Sequence, residues 1–138
     1  MLQGVLINID VDNTEKAINF YTQALGLKVG RRSDSKFVEL VGGSSPIYLL
    51  ENETATLPFP KARQGRTYSR HWSPIHLDFV VSSIVKSKEQ VLAAGAILEI
   101  DIRHEPYGKL ATFSDPFGHG FCLIEFTGRG YDEIATTS

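Results

Sequence analysis

The sequence predicts an α+β fold made of two βαβββ modules, whose curled mixed sheets form a cleft. Three observations predict it. The first is LATFSDPFGHGFCLIEF (110–126), two apolar runs joined by Asp115-Pro116-Phe117-Gly118. Proline presets φ at the second turn position and glycine accepts φ > 0 near the end, which is a hairpin signal. The second is a weaker copy, FVELVGGSSPIYLLE (37–51), in which IYLLE aligns with FCLIE. The third lies upstream of each hairpin. VLINIDVDNTEKAINFYTQALGLKV (5–29) and IHLDFVVSSIVKSKEQVLAAGAIL (75–98) both read as a strand followed by a helix ending at glycine. A repeat of this kind defines the architecture before any single element does.

Taken in order, residues 5–11 alternate. Val5, Ile7, Ile9 and Val11 share one face, and Leu6, Asn8 and Asp10 the other. Asp12, with Glu15 three residues on, predicts a capping box, and Ala17, Phe20, Tyr21, Ala24 and Leu25 form the apolar stripe of a helix closed by Gly26. A third strand edge and the polar turn RRSDSK occupy 27–36, before the 37–51 hairpin. The aperiodic stretch 52–74 carries Phe59, Tyr68 and Trp72, and loops this long in compact domains are often functional. The second module opens with Ile75–Val81. Ser82 or Ser83 then caps a helix that ends at Gly95, residues 96–102 form a strand, and His104–Gly108 form a turn before the final hairpin. His119, between two glycines at a turn tip, is expected to face solvent. The expected organisation is one domain over 1–138: a first module over 1–60, a linker over 61–74, and a second module with a polar tail over 75–138.

The 138 residues suffice for a real core, and 42% hydrophobic with 22% charged residues is an ordinary globular balance. A net charge of −2 with no basic stripe argues against nucleic acid, and no apolar run is long enough to span a membrane. Met1 leads into a strand pattern rather than a signal peptide, and the single cysteine, Cys122, excludes an internal disulfide. These features point to the cytoplasm.

The repeat also selects candidate site residues. Leu6 and Tyr48 in the first half, and His76 and Cys122 in the second, fall on the mixed faces. Leu50 shares a face with Tyr48, Ile124 with Cys122, and Asp78 with His76. Glu51 and Glu125 look like ready ligands. Each stands three residues from Tyr48 or Cys122, and that odd spacing turns it to the opposite face unless a bulge intervenes.

DNTEKAINFYTQALGLKV (12–29), HLDFVV (76–81) followed by a helix to AAGA, and EPYGKLATFSDPFGHGFCLIE (105–125) together resemble the vicinal oxygen chelate superfamily. Its members include glyoxalase I, bleomycin-resistance proteins and extradiol dioxygenases. The resemblance covers nearly the whole chain and implies the glyoxalase/bleomycin-resistance/dioxygenase-like fold, a homodimer and, in metal-using members, a divalent ion held by inward strand positions. Those positions fall here on Leu6, Tyr48, His76 and Cys122. Leu6 has no donor atom, so His76 and Cys122 remain as an incomplete metal set, suited by chemistry to zinc or copper.

Two readings follow. In the first, the protein binds a small apolar or aromatic molecule without a complete catalytic metal site and needs no cofactor. The ligand-binding residues would be Leu6, Asn8, Tyr48, Leu50, Trp72, His76, Asp78, Phe113, Cys122 and Ile124. In the second, it is a metal-dependent lyase, thiol transferase or dioxygenase of the same superfamily, with the ion acting as a Lewis acid. A structural or partner-binding module is a third possibility. The residue at position 6 divides the first two, and favours binding.

Overall fold

A computed structural model of the protein describes residues 1–34 and 36–136. The chain divides into two compact units, Met1–Ser69 and Arg70–Ser138. In the first, β1 (Ile7–Val11) leads to α1 (Thr14–Leu25), then β2 (Lys28–Ser33), β3 (Phe37–Val41) and β4 (Ile47–Glu51). In the second, β5 (Leu77–Val80) leads to α2 (Ile84–Ala94), then β6 (Ile97–Glu105), β7 (Gly108–Ser114) and β8 (Gly120–Phe126). The sheet orders are β1-β4-β3-β2 and β5-β8-β7-β6. In each, the first strand runs parallel to the last and the remaining pairs are antiparallel. These are the two βαβββ modules with mixed sheets that the repeat predicts.

The register makes the repeat exact at the level of residue pairs. Asn8 lies opposite Tyr48 in the first sheet, and Asp78 opposite Cys122 in the second. One face of each sheet packs on its helix. In the first unit Val11, Ala17, Val38, Leu40 and Leu49 are fully buried, and in the second Ile84, Val91, Ala111, Phe113 and Leu123 are. Each such side chain contributes roughly 1.5–3 kcal/mol where it is a large aliphatic or aromatic group.

The helices start and stop by the same devices in both units. Asn13, rather than Asp12, caps α1, accepting from Lys16 N at 3.0 Å, and Ser83 caps α2, accepting from Lys86 N. A second cap comes from the sheet. Glu51 Oε1 accepts from Thr14 N at 3.0 Å and from Thr14 Oγ1 at 2.9 Å, and Glu125 Oε1 accepts from Ile84 N at 2.8 Å. The expected capping box at Glu15 is thus superseded by a carboxylate from the end of β4. Both glutamates serve helix N-termini, where unpaired N–H groups and the dipole favour a negative charge. Gly26 (φ 68°) and Gly95 (φ 119°) close the helices in the left-handed region that glycine enters without strain.

One strand boundary is corrected. β6 runs on through Glu105, past the 96–102 strand and into the expected 104–108 turn. Residues 52–69, which take in the start of the expected 61–74 linker, pack on the first unit. Arg66 Nε donates to Asp10 Oδ2 at 2.9 Å, Ala55 N to Arg66 O at 2.8 Å, and Tyr68 Oη to Asn52 O.

Candidate functional site

In each unit the sheet face turned away from the helix carries the polar chemistry. In the first unit Leu6, Asn8, Arg31, Phe37 and Tyr48 line a shallow cavity of about 310 Å³. Its floor is a closed network. Arg31 grips Glu39 through Nε to Oε1 at 3.1 Å and Nη2 to Oε2 at 2.7 Å, and Tyr48 Oη donates to Glu39 Oε2 at 3.1 Å. Hydrogen bonds from Arg31 hold the Glu39 carboxyl down to about 2. The Tyr48 ring stacks on Phe37, centroids 5.1 Å apart. Tyr48 is therefore fully employed within its own sheet.

In the second unit a cavity of about 360 Å³ is lined by His76 and Asp78 around β5, Arg103 from β6, Thr112 from β7 and Cys122 from β8, with Trp72 from the preceding loop. His76 Nε2 lies 3.1 Å from Asp78 Oδ1. Thr112 Oγ1 and Cys122 Sγ share a hydrogen bond at 3.3 Å, and Arg103 Nη2 donates to Thr112 Oγ1 at 3.3 Å. Burial pushes the Cys122 thiol up, against the opposing pull of Thr112. Arg70, also on the wall, is tied to Glu99 by two bonds at 2.5 and 2.8 Å.

The structure distributes the ten candidates of the sequence unevenly. Leu6, Asn8 and Tyr48 line the first cavity, and Trp72, His76, Asp78 and Cys122 the second. Leu50 shares the face of Tyr48 but lies outside the lining. Ile124 shares the face of Cys122, where it is 1% exposed and pairs with Val80 and Leu110. Phe113 is a correction. It lies opposite Phe121 in the β7–β8 register and stacks on that ring at 5.4 Å, on the helix side of the sheet and off the cavity. The cavity positions of β7 are its alternate residues, Leu110 and Thr112. His119 is a second correction. It is half-buried, with Nδ1 3.0 Å from His71 Nε2.

Arg31, Glu39, Arg103 and Thr112 were not singled out from the sequence. Thr112 depends on the β7–β8 register, which sets it opposite Cys122. Arg103 lies just past the expected 96–102 strand, which stops three residues short of the end of β6 at Glu105.

A glyoxalase-like domain profile matches residues 6–124. The chain belongs to the glyoxalase-like domain family. No curated protein matches it in sequence. Among solved structures, this glyoxalase-like domain is similar to a hypothetical protein from S. aureus, with 23% identity, a TM-score of 0.71, and coverage of 91% of this chain and 95% of that one. It is similar to a glyoxalase/bleomycin resistance protein/dioxygenase family enzyme from Burkholderia phytofirmans, with 22% identity, a TM-score of 0.69, and coverage of 88% and 97%. It is also similar to the fosfomycin resistance protein FosX from Listeria monocytogenes, with 20% identity, a TM-score of 0.70, and coverage of 92% and 96%. Identities this low establish the fold. With the family match they place the chain in the vicinal oxygen chelate superfamily. A mutant of that FosX was solved in complex with Mn(II).

The two halves of this glyoxalase-like domain offer different donors. Leu6 offers no donor, and the Tyr48 hydroxyl is bound to Glu39 and Arg31. The second half alone brings His76, Asp78 and Cys122 together, with their ligand atoms within 4.8 Å of one another. Three donors suit an open zinc-type site in number. Ligation there has to replace the direct His76–Asp78 contact by bonds to the ion and remove a proton from a thiol whose pKa burial raises.

Proposed function

We propose that the protein is a small-molecule-binding member of its family that works without a resident metal ion, taking its ligand into the cavity of the second unit. The observation that carries this reading is Leu6. It puts hydrocarbon at the first-strand position where a metal-using relative needs a donor. A cavity of about 360 Å³ is at the small end of ligand-site volumes. Trp72 offers it an apolar wall, and His76 and Asp78 offer polar groups that orient a ligand.

The second reading, a metal-dependent lyase, thiol transferase or dioxygenase, is favoured by one observation, the closeness of the His76, Asp78 and Cys122 donor atoms. One experiment separates the two: metal analysis of protein purified without chelator, combined with ligand screening of wild type and His76→Ala. Binding without an ion predicts far less than one equivalent of metal, and a His76→Ala variant that folds but binds more weakly, with or without EDTA. About one equivalent of zinc, nickel or iron, lost together with an activity in His76→Ala, would establish the enzyme reading instead. The protein is further proposed to be a homodimer. Large apolar side chains stand exposed on the helix-free side, among them Leu6 and Val80, each 65% exposed.

A further inference from the structure

We infer that the ligand of the second-unit cavity carries an anionic oxygen group, a carboxylate or a phosphonate-like head, received by the guanidinium of Arg103 beside the Thr112 hydroxyl. This rests on the reading of that cavity as a small-molecule site, and names the class of molecule it takes.

The first ground is the state of Arg103. Arg31, Arg66 and Arg70 are each fastened to a carboxylate, of Glu39, Asp10 and Glu99 respectively. Arg103 has no such partner among the described residues. Its bond is from Nη2 to a neutral hydroxyl, Thr112 Oγ1, and at 3.3 Å it is long. Its Nη1 is shut off from solvent and makes no hydrogen bond at all. A buried N–H of a charged group left unmade is among the costlier defects a fold can carry, and such groups ordinarily have a partner. Asp78, the carboxylate on the cavity wall, is engaged with His76 and not with Arg103.

The second ground is what the surroundings permit. A guanidinium presents its N–H groups as a planar fork that matches the oxygens of a carboxylate or phosphonate. Turning the Arg103 fork towards the cavity gives up little, because the bond it leaves is the weak one to Thr112. It gains a partner for Nη1. The Thr112 hydroxyl accepts from Arg103 and shares one hydrogen bond with Cys122, in which either atom can donate; with the thiol as donor, the hydroxyl hydrogen is left for an oxygen arriving there. Leu110 and Trp72 on the same wall provide apolar surface for the body of the molecule. An oxyanion head on a small apolar or aromatic body satisfies all of these groups. A neutral hydrocarbon leaves Nη1 as it is.

Trp72 is the only tryptophan and borders the cavity, so its fluorescence reports binding there. The probes are benzoate, phenylphosphonate and benzamide, the last a neutral match for benzoate in shape. Benzoate and phenylphosphonate are expected to quench saturably and benzamide to bind at least about tenfold more weakly, the range of a charge-assisted hydrogen bond. Arg103→Met should weaken both anions by a similar factor, and Arg103→Lys by less. Arg129→Met removes an equal charge from an exposed pair with Glu133 and should leave binding unchanged. The wild-type comparison needs no variant to fold. Benzamide binding as well as benzoate would overturn the inference and leave the binding reading standing. Equal loss in the Arg103 and Arg129 variants would overturn it as non-specific attraction. Silence from all three probes would count against both the inference and the reading beneath it.

Discussion

At the scale of single residues, environment decides what each group in the two cavities can do. Cys122 is the clearest case. Burial raises its thiol above the ordinary range, so little thiolate is present near neutrality. Alkylation by iodoacetamide at pH 8 is expected to be several-fold slower than for a cysteine in a peptide, and to recover in denaturant. A fast reaction in the folded protein would contradict the environment described. Glu39 shows the opposite shift. Bonds from Arg31 hold it at about 2, against an ordinary value of 4.5. A carboxyl depressed in the folded state contributes stability that is present above its unfolded value and is lost as pH falls through the folded one. The stability gap between wild type and Glu39→Gln should therefore be constant above about pH 5 and shrink as pH falls from about 4.5 towards 2. Thermal melts across that range measure it.

At the scale of elements, strand parity assigns the work. Glu51 and Glu125 sit on the helix side and cap α1 and α2, so their loss is a folding defect rather than a binding defect. Glu51→Ala and Glu125→Ala should each cost about 1 kcal/mol, the usual worth of an N-terminal cap, read as a lower urea midpoint at constant slope. Glu51 should cost the more, because its Oε1 accepts from both the backbone and the side chain of Thr14. Phe113 belongs with them. It is fully buried against Phe121, and Phe113→Ala should cost about 3–5 kcal/mol. A Phe113→Ala variant of unchanged stability but impaired ligand binding would return that residue to the cavity.

At the scale of the whole molecule, the two units repeat one topology while carrying different chemistry on equivalent positions. Tyr48 and Cys122 occupy corresponding register positions on β4 and β8, and so do Glu39 and Thr112 on the strands beside them. In the first unit this set closes on itself through Arg31. In the second it leaves Arg103 short of a partner. One sheet thus has a polar face satisfied by its own side chains, and the other keeps a buried guanidinium nitrogen without a hydrogen bond. The proposed homodimer is tested by sedimentation at micromolar concentration, where twice the chain mass of 15.3 kDa is expected and the mass of one chain would refute it.

The sequence by itself determined the two βαβββ units, the glycines that end both helices, and the faces of Glu51, Glu125, His76 and Cys122. All of these depend on periodicities of two or 3.6 residues that run along one segment, and the repeat let each half check the other. It also showed that position 6 holds no metal donor. Tertiary structure alone decided what depends on pairing between segments. Phe113 was placed in the cleft until the β7–β8 register set it opposite Phe121, because an apolar residue in a hairpin carries no local mark of which face it takes. Arg103 became visible only once β6 was seen to continue through it and to bring its guanidinium to Thr112. The grip of Arg31 on Glu39 and Tyr48 joins three strands. Strand ends and cross-strand register are set by the competition of packing on both faces, and that competition has no counterpart in a single stretch of chain.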